Sequence, residues 1–455
     1  MADFNPYILK SIDAGKTWTS IKGNLPANGP VLAIAEDHVN PNLLFVGTEF
    51  GVFFTIDSGQ KWIQLKGGLP TIAVRDIAVQ KRENDLVLAT FGRGFYILDD
   101  YSSLRSIKKE IFEKDAVTFP VEDAMMYIQA YPLGGSKKAT QGESFFNVPN
   151  PPIGATLTYY LKDALKTKKE IRQEAEKEAE KKKQPVRYPT FDELQAEDEE
   201  EAPAIILTIT DVNGNVVRKL SGANSKGINR TTWDLCYPLP YLATPPPPGS
   251  DYEPESGPLV MPGKYTITLA KKVKGVVTPL GEPQTFTVYV PGQENMIPDD
   301  RKMLVEFQKK AAKLQRAFSG ASQMANEVKS RIGSLKRALL ETPSQVDKLT
   351  ADALNLDARI NEIIRNFRGD QTRRSRNENS PLSIGDRVSK AVGDMSTSTS
   401  KPTQTVQDAY NIANEDFTTE LQKLRTLVEI DLKNLEQAAE AAGAPWTSGR
   451  VPEWK

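Results

Sequence analysis

Two aspartates sit in the same frame forty-four residues apart, Asp13 in SIDAGKTW and Asp57 in TIDSGQKW. In the shared pattern S/T-x-D-x-G-x-x-W each carboxylate can accept backbone N–H bonds inside a tight turn. Gly15 or Gly59 supplies the positive φ that such a turn requires, and Trp18 or Trp62 opens the next strand and covers the turn with its ring. This is the chemistry of folding rather than of catalysis. Residues that could carry catalysis are scarce, with a single histidine, His38, and a single cysteine, Cys236. One thiol excludes an internal disulfide framework and a cysteine-based zinc site. One imidazole excludes an HExxH metal centre, and no G-x-S-x-G accompanies it to make a serine triad. His38 reads as a loop residue before Asn40-Pro41, and neither a metal nor a cofactor is expected.

The elements around the two aspartates repeat as well. LLFVGTEFGVFFTID at residues 43–57 returns as LVLATFGRGFYILDD at residues 86–100, with strand, glycine turn, strand and Asp in register. A period of about 40–45 residues is the signature of β-propeller blades built on Asp-boxes. The third copy decays to DDYSSL, so residues 100–104 read as the exit. Residues 1–104 are thus expected to form the C-terminal blades, two to three in number, of a partial Asp-box β-propeller. Propellers close with about 4–8 blades, so the missing blades are an expected partner, supplied by upstream sequence or by another chain.

The chain is multidomain β plus α. Its 455 residues suggest about three domains. A net charge of −1 gives no argument for nucleic acid, and no apolar run approaches the roughly 18–20 residues of a membrane span. Residues 105–295 hold short β-rich runs, including ESFFNV, ATLTYYLK, AIILTITD, INRTTWDL and GKYTITLAKKV, as expected of an Ig-like β-sandwich. Asn213-Gly214 favours a type I′ hairpin. Trp233 reads as a core plug between the sheets, with Cys236 in the same strand context. A charged insertion at 164–202 reads as a solvated helix followed by a disordered acidic loop that can fold back by charge attraction. The stretch 244–258, with four consecutive prolines, makes a polyproline-like loop.

After Pro298 the period becomes helical, and residues 296–455 are expected to form an antiparallel three-helix bundle. Leu304, Phe307, Ala311, Leu314 and Phe318 begin a stripe that runs to Leu339, with Asp299 or Asp300 as cap and Pro343 as stop. Ser344, with Asp347 at the third position, caps a second helix. Residues 369–404 read as a long polar loop. A third helix starts at Thr405 with Asp408 and stops at Gly443. The short second helix leaves part of the seam open, to be covered by the loop, by the sandwich, or by a second protomer in a homo-oligomer through helices 296–442.

Together the two Asp-boxes, GTEFG, ATFGRGFYILDD, GINRTTWDL, MPGKYTITL and the terminal APWTSGR resemble the C-terminal third of a family of large bacterial proteins. These carry Asp-box (BNR) propellers similar to sialidases and sortilin, and are commonly called glycosyl hydrolase or sortilin-like. The middle segment also resembles the Ig-like module of flagellar hook-capping proteins, through D-x-N-G-x-V-x-R-x-L and PGKYT. The family's exit motif reads T-H-G-R-G; here Phe91 replaces the histidine.

The resemblance implies a site. In an Asp-box propeller the box lies on the face away from the ligand, so the turns at 48–51 and 91–94 belong to the channel mouth. Glu49, Arg75 and Arg93 are then the candidate ligand-binding residues, able to hold a carboxylate-bearing sugar or peptide end by bidentate contact. Glu49 is the candidate catalytic carboxylate. A glycosidase needs two carboxylates and a sialidase three convergent arginines, sets that these blades do not complete. The expected function is a non-catalytic binding and scaffold segment of an exported protein (secreted, periplasmic or at the cell surface) that recognises glycan or peptide ligands. The alternatives are a sialidase-like glycoside hydrolase whose active site lies mostly in other blades, and an oligomerising structural module.

Overall fold

The computed structural model describes residues 3–128, 148, 150–239, 256–292, 296–396, 398 and 400–451. The ESFFNV run and the polyproline-like run lie almost wholly outside the described residues. The chain is a mixed β-plus-α protein, several sheets followed by helices. No described helix is long and apolar enough to cross a membrane. The expected boundaries at 104 and 295 do not separate compact units. One unit holds residues 1–124, 132–233 and 264–287, and the other holds residues 125–131, 234–263 and 288–455. Trp233 and Cys236 therefore fall in different units.

In the first unit, β1 (Leu9–Lys10) pairs with β2 (Thr19–Ser20) across the first Asp turn. An antiparallel meander follows, made of β3 (Val31–Glu36), β4 (Leu44–Thr48), β5 (Gly51–Thr55) and β6 (Ile63–Gln64). A three-stranded sheet comes next, made of β7 (Val74–Gln80), β8 (Asp85–Thr90) and β9 (Phe95–Leu98). All of β4 and β5 is buried because both of their faces are covered. Leu44, Val46 and Phe53 pack with Ile8, Leu25 and Trp62 on one side. Phe45, Val52 and Phe54 pack with Val74, Ile77, Leu86 and Leu88 on the other. Each such side chain contributes about 1.5–3 kcal/mol on full burial. Gly47 sets the spacing, since a Cβ there would lie 2.5 Å from the Val74 carbonyl oxygen.

The middle of the chain forms a sheet of β10 (Ala116–Thr118), β12 (Ala155–Leu161) and β15 (Gly227–Trp233), ordered β10-β12-β15. A five-stranded sheet runs β11-β19-β18-β13-β14, from β11 (Ala124–Met125), β13 (Ala204–Asp211), β14 (Val216–Gly222), β18 (Gly263–Val273) and β19 (Val276–Tyr289). The Trp233 ring lies edge-on to Tyr265 at 5.2 Å and to Phe286 at 6.2 Å, filling the space between strands of the two sheets. The Asn213-Gly214 turn departs from the type I′ expectation, because Gly214 takes a positive φ while Asn213 does not. The Asp211 carboxylate accepts the N–H groups of Asn213 and Asn215, both at 2.9 Å, and the register shifts at Thr210. That is a bulged turn.

The charged insertion holds two helices, α1 (Lys168–Lys181) and α2 (Phe191–Asp198), each opened by a capping box from Thr167 with Glu170 and Thr190 with Glu193. The acidic stretch expected to be disordered is therefore helical over most of its length. It folds back onto α1 through Arg172, which meets Glu197 at 2.7 and 2.8 Å and Glu176 at 2.7 Å.

In the second unit, β16 (Cys236–Pro238) pairs with β17 (Ser256–Leu259). Its helices are α3 (Pro298–Leu340), α4 (Asp347–Arg368), α5 (Gln371–Arg374), α6 (Ile384–Ser396), α7 (Gln404–Thr426) and α8 (Lys433–Ala441), with a π-helical turn at Leu427–Leu432 between the last two. At 43 residues, α3 spans about 65 Å. Pro298 opens it at the first position and Asp299 and Asp300 lie in the first turn, so neither is the cap. Nor does Ser344 cap α4; its hydroxyl donates to the Ala442 carbonyl at 2.5 Å. Gly443 does end α8, with φ 78° and the Ala444 N–H bonded back to the Ala439 carbonyl at 3.0 Å.

The main departure is at 369–404, where two helices, α5 and α6, stand within the expected loop. There α6 buries Ile384, Val388, Ala391 and Met395. Ile384 and Val388 join the core of Phe367 and Phe417, while Met395 joins Leu304 and Val406. The seam left by the short α4 is thus closed by the chain itself. A reciprocal cap starts α6: Ser383 Oγ accepts the Asp386 N–H at 3.2 Å, and Asp386 Oδ2 accepts the Ser383 N–H at 3.0 Å.

Candidate functional site

Both Asp turns are built by one hydrogen-bond scheme. Asp13 Oδ1 accepts the Thr17 N–H at 2.8 Å, and Ser11 Oγ accepts the Gly15 N–H at 2.7 Å. In the second turn Asp57 Oδ1 accepts the Lys61 N–H at 3.0 Å, and Thr55 Oγ1 accepts the Gly59 N–H at 3.0 Å. The Thr17 N–H, then its hydroxyl, draw the Asp13 carboxyl down to about 2. Burial pushes Asp57 up, but Thr55 and the N–H groups of the turn prevail and hold it below its ordinary value. Ala14 and Ser58 share the left-handed conformation with Gly15 and Gly59. The tryptophans diverge. Trp18 is 60% exposed and bonds to its own turn through Gly15 O at 3.1 Å. Trp62 is 2% exposed and donates to Ile21 O at 2.9 Å, so it packs on the preceding repeat.

At the other end of β5, about 17 Å away for five residues of strand, stands Glu49. It occupies the two-residue turn between Thr48 and Gly51, half-buried. Thr48 Oγ1 donates to Gly51 O at 3.0 Å and accepts the Phe50 N–H at 3.2 Å. The β8–β9 turn repeats the first bond, with Thr90 Oγ1 donating to Gly94 O at 2.8 Å. Thr90, not Phe91, is therefore the counterpart of Thr48, and Phe91-Gly92-Arg93 is a turn one residue longer than Glu49-Phe50. The register that the sequence repeat suggests, 48–51 against 91–94, slips by one residue for that reason.

Arg75 comes from the start of β7, which Gly47 admits against the end of β4. Its guanidinium lies over the Phe91 ring, 5.3 Å from the centroid. Arg75 and Arg93 are exposed. Among the described residues no ion pair joins Glu49, Arg75 or Arg93 to one another or to another side chain. The arrangement offers one carboxylate and two guanidinium groups on strand ends opposite the Asp turns.

A buried cluster that no sequence pattern revealed lies between the sheets and the exit segment. Asp37, at 2% exposure, accepts Tyr101 Oη at 2.6 Å, Arg105 Nε at 2.9 Å and Nη2 at 2.7 Å, and the Asn40 N–H at 2.7 Å. Burial pushes its carboxyl up, but the Arg105 and Tyr101 bonds prevail and hold it at about 2. Arg105 also reaches Asn84, which donates to Glu122. Burial first, and the Asp100 carboxylate second, push Glu122 up to about 7. The exit segment is thus clamped back onto the β3–β4 loop. His38 Nδ1 stands 3.6 Å from Asp37 at the edge of this clamp. Among the described residues, no group of three or more His, Cys, Asp or Glu side chains is placed to hold a metal ion.

No family model matches the chain, and no curated protein matches it. A solved structure to which it is similar is the extracellular domain of a hybrid two-component system from B. thetaiotaomicron, with 13% identity and a TM-score of 0.19 over 63% of this chain. The matched part is 29% of that chain.

Proposed function

We propose that the chain is a non-catalytic binding and scaffold segment of an exported protein. Residues 3–104 are blades of an Asp-box β-propeller, the middle is an Ig-like sandwich, and the helices are a supporting bundle. The ligand is a glycan or peptide bearing a carboxylate, held by Arg75 and Arg93, with Glu49 accepting a hydroxyl or amine of the same molecule. The observation that carries this reading is the set of charged groups without ion-pair partners on the strand ends opposite the two Asp turns. One of them, Arg75, is already oriented by the Phe91 ring. A lone rim carboxylate favours binding over hydrolysis, since a glycosidase works with a pair.

The test is calorimetric titration of the 455-residue chain with sialyl-lactose, with a peptide ending in a free carboxylate, and with the amide of that peptide. Binding of at least one acid, weakened about tenfold or more by Arg75→Ala with Arg93→Ala, is the expected result. Equal binding of peptide acid and amide, or an acid whose affinity ignores both arginines, overturns the reading.

A further inference from the structure

Glu420 breaks the pattern of its own helix. On α7 the buried positions Ala413, Phe417 and Leu424 follow the helical stripe, and Glu420 stands between the last two at 6% exposure. Its Oε1 accepts Lys423 Nζ at 2.8 Å. Its Oε2 is buried and has no hydrogen-bond donor. A buried polar atom left unpaired costs about 1–3 kcal/mol, and the fold keeps this one where an apolar side chain would pack.

The same side chain lines a cavity of about 600 Å³, a volume in the range of small-molecule sites. α4 ends at Gly369, whose φ of 81° turns the chain away, and the next long helix, α6, starts only after Ser383. The cavity lies where these ends face α7. Arg365 and Arg373 line it from α4 and α5, and Asp416 lines it from α7, one turn before Glu420. Among the described residues no ion pair joins either guanidinium to a carboxylate. Asp370, also in the lining, is taken up by the N–H groups of Thr372 and Arg373, at 2.9 and 3.3 Å. Ser383 is taken up by Asp386. Opposite charges thus line one cavity without meeting.

We propose that this cavity binds a small zwitterion of the amino-acid class, its ammonium on Glu420 and Asp416 and its carboxylate on Arg365 and Arg373. The terminal torsion of a glutamate is broad, so its rotation offers the unpaired oxygen of Glu420 to an ammonium in a charge-assisted bond. The two guanidinium groups suit a carboxylate, which takes their donors in forked geometry. A ligand with a single charge leaves the opposite set of groups unpaired, and that is the source of selectivity. Glu420 and Asp416 belong to no metal-binding group among the described residues, so an organic cation is the occupant that fits them. The site shares no residue with the rim of Glu49, Arg75 and Arg93 and does not depend on the function proposed for it.

The test is calorimetric titration of the full chain with L-lysine, L-glutamine and 4-aminobutyrate, and with butylamine and butyrate, which keep one charged end each. The expected result is that at least one of the first three binds, about tenfold or more tightly than butylamine or butyrate. Glu420→Gln, and separately Arg365→Ala with Arg373→Ala, should each weaken that binding by about tenfold or more. Both arginines are exposed, so their removal should leave the melting of the free chain unchanged and isolate binding from folding. Arg75→Ala with Arg93→Ala should leave the affinity unchanged, which separates the cavity from the rim. No binding of the first three at millimolar concentration, or equal binding of butylamine or butyrate, overturns the proposal. So does an affinity that ignores Glu420 or the cavity arginines, or one that is lost with Arg75 and Arg93.

Discussion

Arg105 grips Asp37 with two prongs, Nε to Oδ2 at 2.9 Å and Nη2 to Oδ1 at 2.7 Å, across sixty-eight positions of sequence. Phe45 stacks edge-on against Tyr101 at 5.1 Å beside the pair, so the last segment of the repeat is both bonded and packed onto its predecessor. The Asp37 side chain is wholly buried and that of Arg105 is 17% exposed. Removing one partner leaves the other without its counter-charge in a largely buried position.

Arg105→Met is therefore expected to destabilise the first unit by about 3–5 kcal/mol, and Asp37→Asn by a similar amount. The double variant Asp37→Leu with Arg105→Met should cost less than the two single changes together, because no uncompensated charge remains. Urea denaturation followed by tryptophan fluorescence measures all of these, and full additivity would remove the coupling.

Two carboxyls of this cluster give opposite pH dependences. The Asp37 pKa is depressed to about 2. Its contribution is therefore complete above the unfolded value near 3.8 and is lost as pH falls through about 2. Glu122 is raised to about 7 from 4.5, by burial and then by Asp100, so the native state binds the extra proton between those values. Its stabilisation is complete below pH 4.5 and is lost as pH rises through about 7. After solvent screening of a half-buried group this amounts to about 1–2 kcal/mol. Glu122→Gln should flatten the stability profile between pH 5 and 8, as read from melting temperatures across that range.

What the sequence made legible was local. The repeat and the long apolar stripes of α3, α4 and α7 are periodic over many residues, and burial follows those periods. The clamp was invisible because Asp37, Tyr101 and Arg105 belong to no common pattern and meet only through packing of successive sheets. At α6 only Ile384, Val388, Ala391 and Met395 are apolar enough to mark a face, within a run dominated by Arg, Ser, Thr and Asn. The sequence signals of α6 and α2 are Ser383 with Asp386, and Thr190 with Glu193, both caps at the spacing that starts a helix. At 192–201 the high net charge masks that cap. Of the rim, the two turns were legible from the repeat, whereas the Arg75–Phe91 contact depends on how closely Gly47 lets β7 approach.

The two box glycines are expected to differ in cost although they share a sequence pattern. Gly15 and Gly59 both take positive φ, at 87° and 93°. A Cβ on Gly15 would meet only the Trp18 ring at 3.7 Å, whereas one on Gly59 would lie 2.7 Å from the Ile21 carbonyl oxygen. Gly15→Ala should therefore carry only the backbone penalty, about 1 kcal/mol. Gly59→Ala should cost about 2–4 kcal/mol, because the preceding repeat must move as well. Thermal melts of the two variants decide this, and equal shifts would mean that the second box is not wedged against its neighbour.

Val388→Asp separates a helical 384–396 from a loop. Val388 is 3% exposed and shares a core with Phe367 and Phe417, two rings whose centroids lie 5.9 Å apart. A carboxylate in that position loses the apolar contact and is buried without a counter-charge, at a cost of about 3–5 kcal/mol. Val388→Ala removes only two methyl groups and should cost about 1–3 kcal/mol. Exchange at the α6 amides should accelerate in both variants, more in the first. It should spread to α7 around Phe417, because α6 closes the seam that α7 shares with α3. An unchanged melt for Val388→Asp would return 369–404 to an exposed loop and reopen the helical seam to a partner.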